Sequence, residues 1–596
     1  MNAAEPGTFA AARDRLAGAL LARIDASGHW RGHLSSSALS TATAVTALAT
    51  VGAPGDADLV RGGLDWLARH ANADGGWGDT VRSRSNPSTT ALAWAAFGAA
   101  GGDGTHGETV RRARAYLERF AGDGGDLVGA IEALYGNDRT FSVPITMTLA
   151  LSGRLGADGW RRVRPLPFEL AMLPRAWFGA MRLPVVSYAL PALIAIGQVI
   201  HARSGRTHPL RSLARRRTLG VLEGLQPPNG GFLEATPLTS FVTMSLAGMG
   251  EGGHVVARRG AAFLRASARA DGSWPIDTDL ATWVTTLAVK ALRQCPGALD
   301  PGRRAALASW ILGQQGRVVH PYTGAAPGGW AWTDLPGGVP DADDTAGALL
   351  ALRSLAGPDG RAEPGFRSAA EAGCRWLLGV QNRDGGVPTF CRGWGTLPFD
   401  RSTPELTAHA LRAWSAWESG LPVALREDVA RAKERALHYL VASQRADGAW
   451  LPLWFGNEAA ADQENPVYGT AQVLAALQDA GGVDTIRAAR ERGAAFLLSA
   501  QNADGGWGGA RGVRSSIEET ALAVDALCGI AAGRDAADAA ARRGGMWLAA
   551  ATRDPASVEA SPIGLYFARL WYFEDLYPLV FATGALGRLA ARSEHG

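Results

Sequence analysis

Three carboxylic acids fall close together in the stretch PDADDT, at Asp341, Asp343 and Asp344. In a dry site they cannot all ionise cheaply, so at least one keeps its proton. A proton held away from water makes such a group a candidate general acid. The same stretch also reads as a helix start, with a proline, acids in the first turn facing the helix dipole, and Ala-rich sequence behind. Further on, His409 stands four residues after Glu405. That spacing puts the two on one helix face within reach of each other. His409 reads either as a satisfied core histidine or as a charged partner to an acid.

The elements that must hold these groups are set out by an internal repeat. A helix ends, a Gly-rich turn follows, and an aromatic closes the unit: DASGHW (25–30), ANADGGWG (71–78), QPPNGGF (226–232), RADGSW (269–274), QNRDGGV (381–387), QRADGAW (444–450) and QNADGGWG (501–508), with APGGWAW (326–332) as a looser copy. Amphipathic stretches such as RAKERALHYLVASQ, with apolar residues three and four apart, precede several copies. Small-residue stretches opened by Ser or Thr caps, such as NPSTTALAWAAFGAAG and SSIEETALAVDALCG, follow. Asp-Gly and Gly-Gly supply the positive φ angles of the turn. Each repeat is therefore a helix pair, and alternating outer amphipathic and inner Ala-rich helices predict an all-α chain built as α/α barrels. No run of alternating β-branched residues is present, so no sheet is expected. The repeat Gln and Trp residues read as staples of the fold.

The chain has 596 residues, 47% apolar and 19% charged, enough for more than one domain with a large core. A net charge of +3, with arginines scattered, argues against a nucleic-acid partner. Cys295, Cys374, Cys391 and Cys528 contain no C-x-x-C pair and read as reduced thiols of a cytoplasmic protein. The N-terminal residues carry acids early and do not read as a signal peptide. Leu183–Ile200, the longest apolar stretch, contains Pro184 and Pro191 and reads as buried or surface-attached helix, not a membrane span.

The repeats resemble the QW motifs of triterpene cyclases, and the squalene–hopene cyclase family is the nearest resemblance. GGWAWTDLPGGVPDADDTAGALLAL (328–352) is similar to that family's D-x-D-D-T acid motif with its aromatic lead-in. STPELTAHALRAW (402–414) is similar to the segment supplying a histidine to the acid, and PIGLYFARLWYFEDLYPLVFATGALGR to the aromatic segment that caps the cavity. The resemblance implies two α/α barrels, one inserted after the first helix of the other: residues 1–29 as an N-terminal helix on the catalytic barrel, 30–275 as the inserted barrel and 276–596 as the catalytic barrel. It implies a class II terpene cyclase that initiates by protonation, with Asp343 as donor, Asp341 and Asp344 as supports, His409 as the protonated partner and Glu405 orienting it. Cavity positions map onto Trp332, Trp283, Phe390, Trp454, Tyr468, Tyr572 and Tyr188, whose ring faces would stabilise carbocations. Core packing is the competing reading for each.

The implied substrate is squalene, closed to a hopene-like polycyclic triterpene. A shorter prenyl diphosphate or prenylated aromatic is the alternative, and a non-catalytic isoprenoid-binding barrel a further one. A prenyltransferase β-subunit would need Asp, Cys and His zinc ligands, and no such arrangement stands out. No cofactor and no metal are expected. The implied partners are a hydrophobic polyprenyl substrate, the inner face of the membrane as a peripheral surface, and a second copy of the chain. An interfacial patch is expected over Pro165–Ile200 from Phe168, Met172, Trp177, Phe178 and Met181 near Arg175 and Arg182. The sequence departs from the family at Val387, where Trp is usual, at Val284, where an acid is usual, and at Arg569, where a cavity tyrosine is expected. The stretch from Tyr188 to Trp283 is also short, without an apolar membrane-seating helix.

Overall fold

The repeat units fold by a shared set of hydrogen bonds. In this computed structural model, which describes residues 7–136, 138–181, 183, 187–205, 208–356, 364–392, 400–478, 484–530, 535–565 and 570–595, the indole N–H of Trp77 donates to the carbonyl of Leu67 (2.9 Å), Trp450 to Leu440 (2.6 Å) and Trp507 to Leu497 (2.8 Å). Each buried indole thereby adds a hydrogen bond to a carbonyl in the last turn of its helix. The Gln amide spans two elements: Gln381 donates to Gly385 O in its own turn and to Ala432 O of the next outer helix, both at 2.9 Å. Gly385 has φ +91°, and a Cβ there would meet the carbonyl oxygen of Arg435 at 2.3 Å, so the turn needs glycine. At Val387, where the indole is missing, the backbone N–H of Gln381 donates to the Leu377 carbonyl (3.2 Å).

Among the described residues, the helices Ala281–Leu292, Ala342–Leu355, Pro404–Trp417, Pro466–Leu477, Ile517–Ile530 and Tyr577–His595 pack side by side in a closed ring. Outside them lie Pro301–Gly313, Pro364–Val380, Val423–Ala442, Asp484–Ala500 and Asp535–Ala551, and Gly7–Leu21 packs on Tyr577–His595 and Asp535–Ala551. A second ring is built from Ala38–Val51, Pro87–Ala99, Arg139–Leu151, Leu190–Arg203 and Thr236–Gly248. Leu190–Arg203 takes up the end of the long apolar stretch as a buried inner helix. Inner helices are Ala- and Thr-rich because they are covered on nearly every side. Several of their buried hydroxyls donate to the carbonyl four residues back, as Thr41 does to Ser37 and Thr46 to Ala42 (both 2.8 Å).

Two short antiparallel ladders correct the expectation of no sheet. Ser36–Ser37 pairs with Trp274–Pro275, so the chain enters and leaves the second ring side by side. Ile563–Leu565 pairs with Leu570–Tyr572, a hairpin that brings Tyr572 toward the first ring. Both are too short to show a periodic pattern, which is why the sequence does not announce them. All four cysteines are unpaired. No helix among the described residues is long and apolar enough to cross a membrane.

Candidate active site

The acid motif is carried by the same turn that builds every repeat. The Trp330 N–H donates to the Thr345 hydroxyl (3.0 Å), as Trp77 does to Thr90, Trp450 to Thr470 and Trp507 to Thr520. The Asp341 N–H donates to Trp330 O (3.0 Å). Asp341 caps helix Ala342–Leu355, its Oδ1 accepting the Asp344 N–H at 2.8 Å, so the helix-cap reading of PDADDT holds for this residue. Burial pushes Asp341 up to about 7, and burial beside Asp341 pushes Asp344 well above the carboxylate range. Asp344 is thereby held toward its neutral form.

Asp343 sits between these two in sequence but points elsewhere. Its Oδ1 lies 2.5 Å from Nδ1 of His409, on the neighbouring inner helix Pro404–Trp417. Burial pushes His409 below its ordinary value although the hydrogen-bonded Asp343 pulls the other way, which favours the neutral imidazole over the protonated form expected. The expected contact between Glu405 and His409 is not made: His409 Nε2 has no hydrogen-bond partner. Glu405 Oε1 instead accepts the backbone N–H groups of Leu453 (3.1 Å) and Trp454 (3.0 Å). Burial raises Glu405 to about 7. The i, i+4 spacing permitted the contact, but the carboxyl turns to these buried N–H groups, and its Oε2 has no hydrogen-bond partner.

Asp343 and Trp283 line two voids. The smaller, of about 100 Å³, is walled by Trp332, Phe390, Trp454 and Tyr572 among the expected aromatics. Phe390 is edge-on to Trp332 and Trp454 at ring-centroid distances of 6.4 and 6.0 Å and tilted against Tyr188 at 5.2 Å. Tyr188 therefore backs the wall and lines neither void. Tyr468 lines the larger void, of about 290 Å³, which runs down the first ring. Sequence reading missed Tyr577 and Phe455, which also face the smaller void. Tyr577 accepts the Trp283 indole N–H (3.0 Å) and shares a 2.8 Å hydrogen bond with Tyr572. Its neighbours in YFEDLYPLV gave no spacing signal that would separate it from core. Asp277, also missed, lines the smaller void and is pushed well up by burial beside Glu234 and Asp279.

In the expected interfacial stretch, Trp177 and Met181 are exposed, whereas Phe168 and Phe178 are buried and drop out of the patch. Arg182, Pro184 and Arg569 lie outside the described residues. Exposed Leu210 and Leu213 were not anticipated. No cluster of three or more His, Cys, Asp or Glu side chains fit to hold a metal occurs among the described residues.

The C-terminal domain description of squalene-hopene cyclases matches residues 280–591, and the N-terminal domain description matches residues 14–211. The chain belongs to the squalene–hopene cyclase family. Within that family of class II terpene cyclases it is 30% identical over 234 residues to the squalene–hopene cyclase of Alicyclobacillus acidocaldarius, covering 35% of this chain and 33% of that one. It is 33% identical over 192 residues to a copalyl diphosphate synthase of Streptomyces cyslabdanicus, covering 32% and 30%. These matches span about a third of the length of the curated relatives. The ent-copalyl diphosphate synthase structure from Streptomyces platensis superposes with a TM-score of 0.57 at 21% identity, covering 98% of this chain and 99% of that one. The all-α, α/α-barrel fold is thus the fold of the family.

Proposed function

We propose that the chain closes rings in a linear polyprenyl substrate by protonating a terminal alkene from Asp343. The observation that carries this is the Asp343–His409 pair at 2.5 Å on the edge of an aromatic-walled void. The Asp343 proton forms a new C–H bond at the alkene, and the O–H electron pair stays on the carboxylate. Neutral His409 donates its Nδ1–H to the oxygen beside it and orients the acid. Asp341 and Asp344 support the acid by closing off the neighbouring wall, and Glu405 acts by holding the Trp454 segment. The rings of Trp283, Trp332, Phe390, Trp454 and Tyr572 present their faces to the migrating cation, each worth about 2 kcal/mol where desolvated. Water excluded from that wall cannot quench the cation early.

Squalene, giving a hopene-like product, is the leading substrate, supported by the squalene–hopene cyclase relative. A prenyl diphosphate is the second reading, supported by the copalyl diphosphate synthase relative. Residues 30–275 then serve as the inserted barrel, with 1–29 and 276–596 forming the catalytic one. The exposed Trp177 and Met181 favour peripheral attachment to a membrane that supplies an oily substrate, from the cytoplasmic side. The test is incubation of the purified chain with squalene and with geranylgeranyl diphosphate separately, each with and without EDTA. Cyclised triterpene unaffected by EDTA carries the first reading. Product only from the diphosphate, lost with EDTA and restored by Mg²⁺, carries the second.

A further inference from the structure

The larger void contains a lysine that neither reading uses. Lys290 lies on helix Ala281–Leu292, two turns beyond Trp283, and lines the 290 Å³ space together with Asp343 and His409. The lumen here is polar as well as apolar, with charged side chains from several inner helices facing it. A buried ammonium loses solvation, and its charge persists only where negative charge compensates. Lys290 forms no ion pair and no hydrogen bond among the described residues. Each neighbouring inner helix presents its own groups to the lumen. Asp343 comes from Ala342–Leu355, and Glu405, His409 and Arg412 come from Pro404–Trp417. Tyr468, Asp525 and Arg588 come from the remaining three, and Arg293 follows Lys290's own helix. Arg588 is already engaged with Asp525 and Gln478.

We infer that Lys290 is a positioning residue for the acid, the standing positive charge that stabilises the carboxylate Asp343 becomes when its proton leaves for the alkene. The inference rests on the protonation reading above. His409 is neutral at that moment and supplies a hydrogen bond without net charge. The ammonium is in place beforehand and costs no reorganisation as the charge develops. Burial first and Arg412 next lower Lys290 to about 8, while Asp525 and Asp343 oppose this, so it stays charged at neutral pH. In turn Lys290 contributes to holding His409 low, ahead of Arg412.

The test uses the full chain with Lys290→Met, which keeps side-chain length, and Lys290→Arg, which keeps charge. The first readout needs no substrate: the titration midpoint of His409 by NMR of ¹³C-histidine-labelled protein, assigned with His409→Ala. The midpoint is expected to rise in Lys290→Met and to stay low in Lys290→Arg; an unmoved midpoint in Lys290→Met overturns the coupling. The second is cyclisation with the substrate that the wild type accepts. Lys290→Met is expected to lose about 10²-fold in kcat with KM unchanged. The wild-type kcat should fall above about pH 8, and Lys290→Arg should restore the rate and move that fall to higher pH. Wild-type kcat in Lys290→Met overturns the inference while leaving the protonation reading intact. A wild type that cyclises neither squalene, nor a prenyl diphosphate, nor a prenylated aromatic sinks that reading, and the His409 midpoint still reads Lys290 on its own.

Discussion

Glu405 Oε1 sits 3.0 Å from the backbone N–H of Trp454 and 3.1 Å from that of Leu453, tying the helix that carries His409 to the loop that carries a wall aromatic. Removing the carboxyl leaves two N–H groups without their acceptor, at about 1–3 kcal/mol. Glu405→Ala is therefore expected to lower the melting temperature and broaden the product spectrum, because Trp454 loses its fixed position. Glu405→Gln keeps an acceptor oxygen and should stay close to wild type in both. A Glu405→Gln variant as damaged as Glu405→Ala would mean that the charge, and not the acceptor, matters.

The same burial sets a pH dependence of stability. Asp341, Glu405, Glu518 and Glu574 each rise to about 7 from ordinary values of 3.8 or 4.5. Between those limits the folded chain holds protons that the unfolded chain has released. Stability from these groups is therefore complete at the acid end of that window and declines as pH rises through about 7. Asp25, Asp126, Asp271 and Asp504 are lowered and set the opposite slope at strongly acid pH. Calorimetry across pH 4 to 9 should find the highest melting temperature on the acid side of neutrality. A melting temperature still climbing from pH 6 to pH 8 would contradict this balance.

Trp332 stands edge-on to Phe390 with its ring toward the smaller void. Trp332→Ala removes a cation-stabilising face and opens room for water. The expected result is a folded protein whose products are less cyclised, read by gas chromatography and mass spectrometry. An unchanged product profile would make Trp332 simply core.

The parts of this arrangement that follow a period were legible in the sequence. The helix pairs came from apolar spacing and Gly turns, and Trp77, Trp450 and Trp507 proved to be the staples expected of them. Asp343 and His409 stood out because acids and a histidine are conspicuous in Ala-rich helices, and they meet. What sequence spacing cannot carry is which partner a buried group takes. Glu405 had His409 one turn away and chose two N–H groups from a distant loop. Thr345, read as part of an acid motif, is the turn's hydrogen-bond acceptor, a role visible only when the Thr residues after several repeats are compared. Tyr577 is positioned by Trp283 and Tyr572, both contacts across the chain or a hairpin end.

The most direct test of the account is Asp343→Asn. The amide has the carboxyl's shape and still reaches His409 Nδ1, and it removes one member of a crowded group of acids, so the helical circular dichroism and melting temperature should be native-like or better. It has no proton that an alkene can take, and water cannot substitute inside the cavity. General-acid contributions are commonly about 10²–10⁴-fold, and this loss should exceed the upper end. His409→Ala should be milder, since the acid keeps its proton and loses only its hydrogen-bonding partner. The measurement is cyclised product per hour from the accepted substrate, with wild type, Asp343→Asn and His409→Ala compared side by side. Near-zero turnover in folded Asp343→Asn is the predicted result; substantial cyclisation by that variant would contradict the assignment of Asp343 as the proton donor.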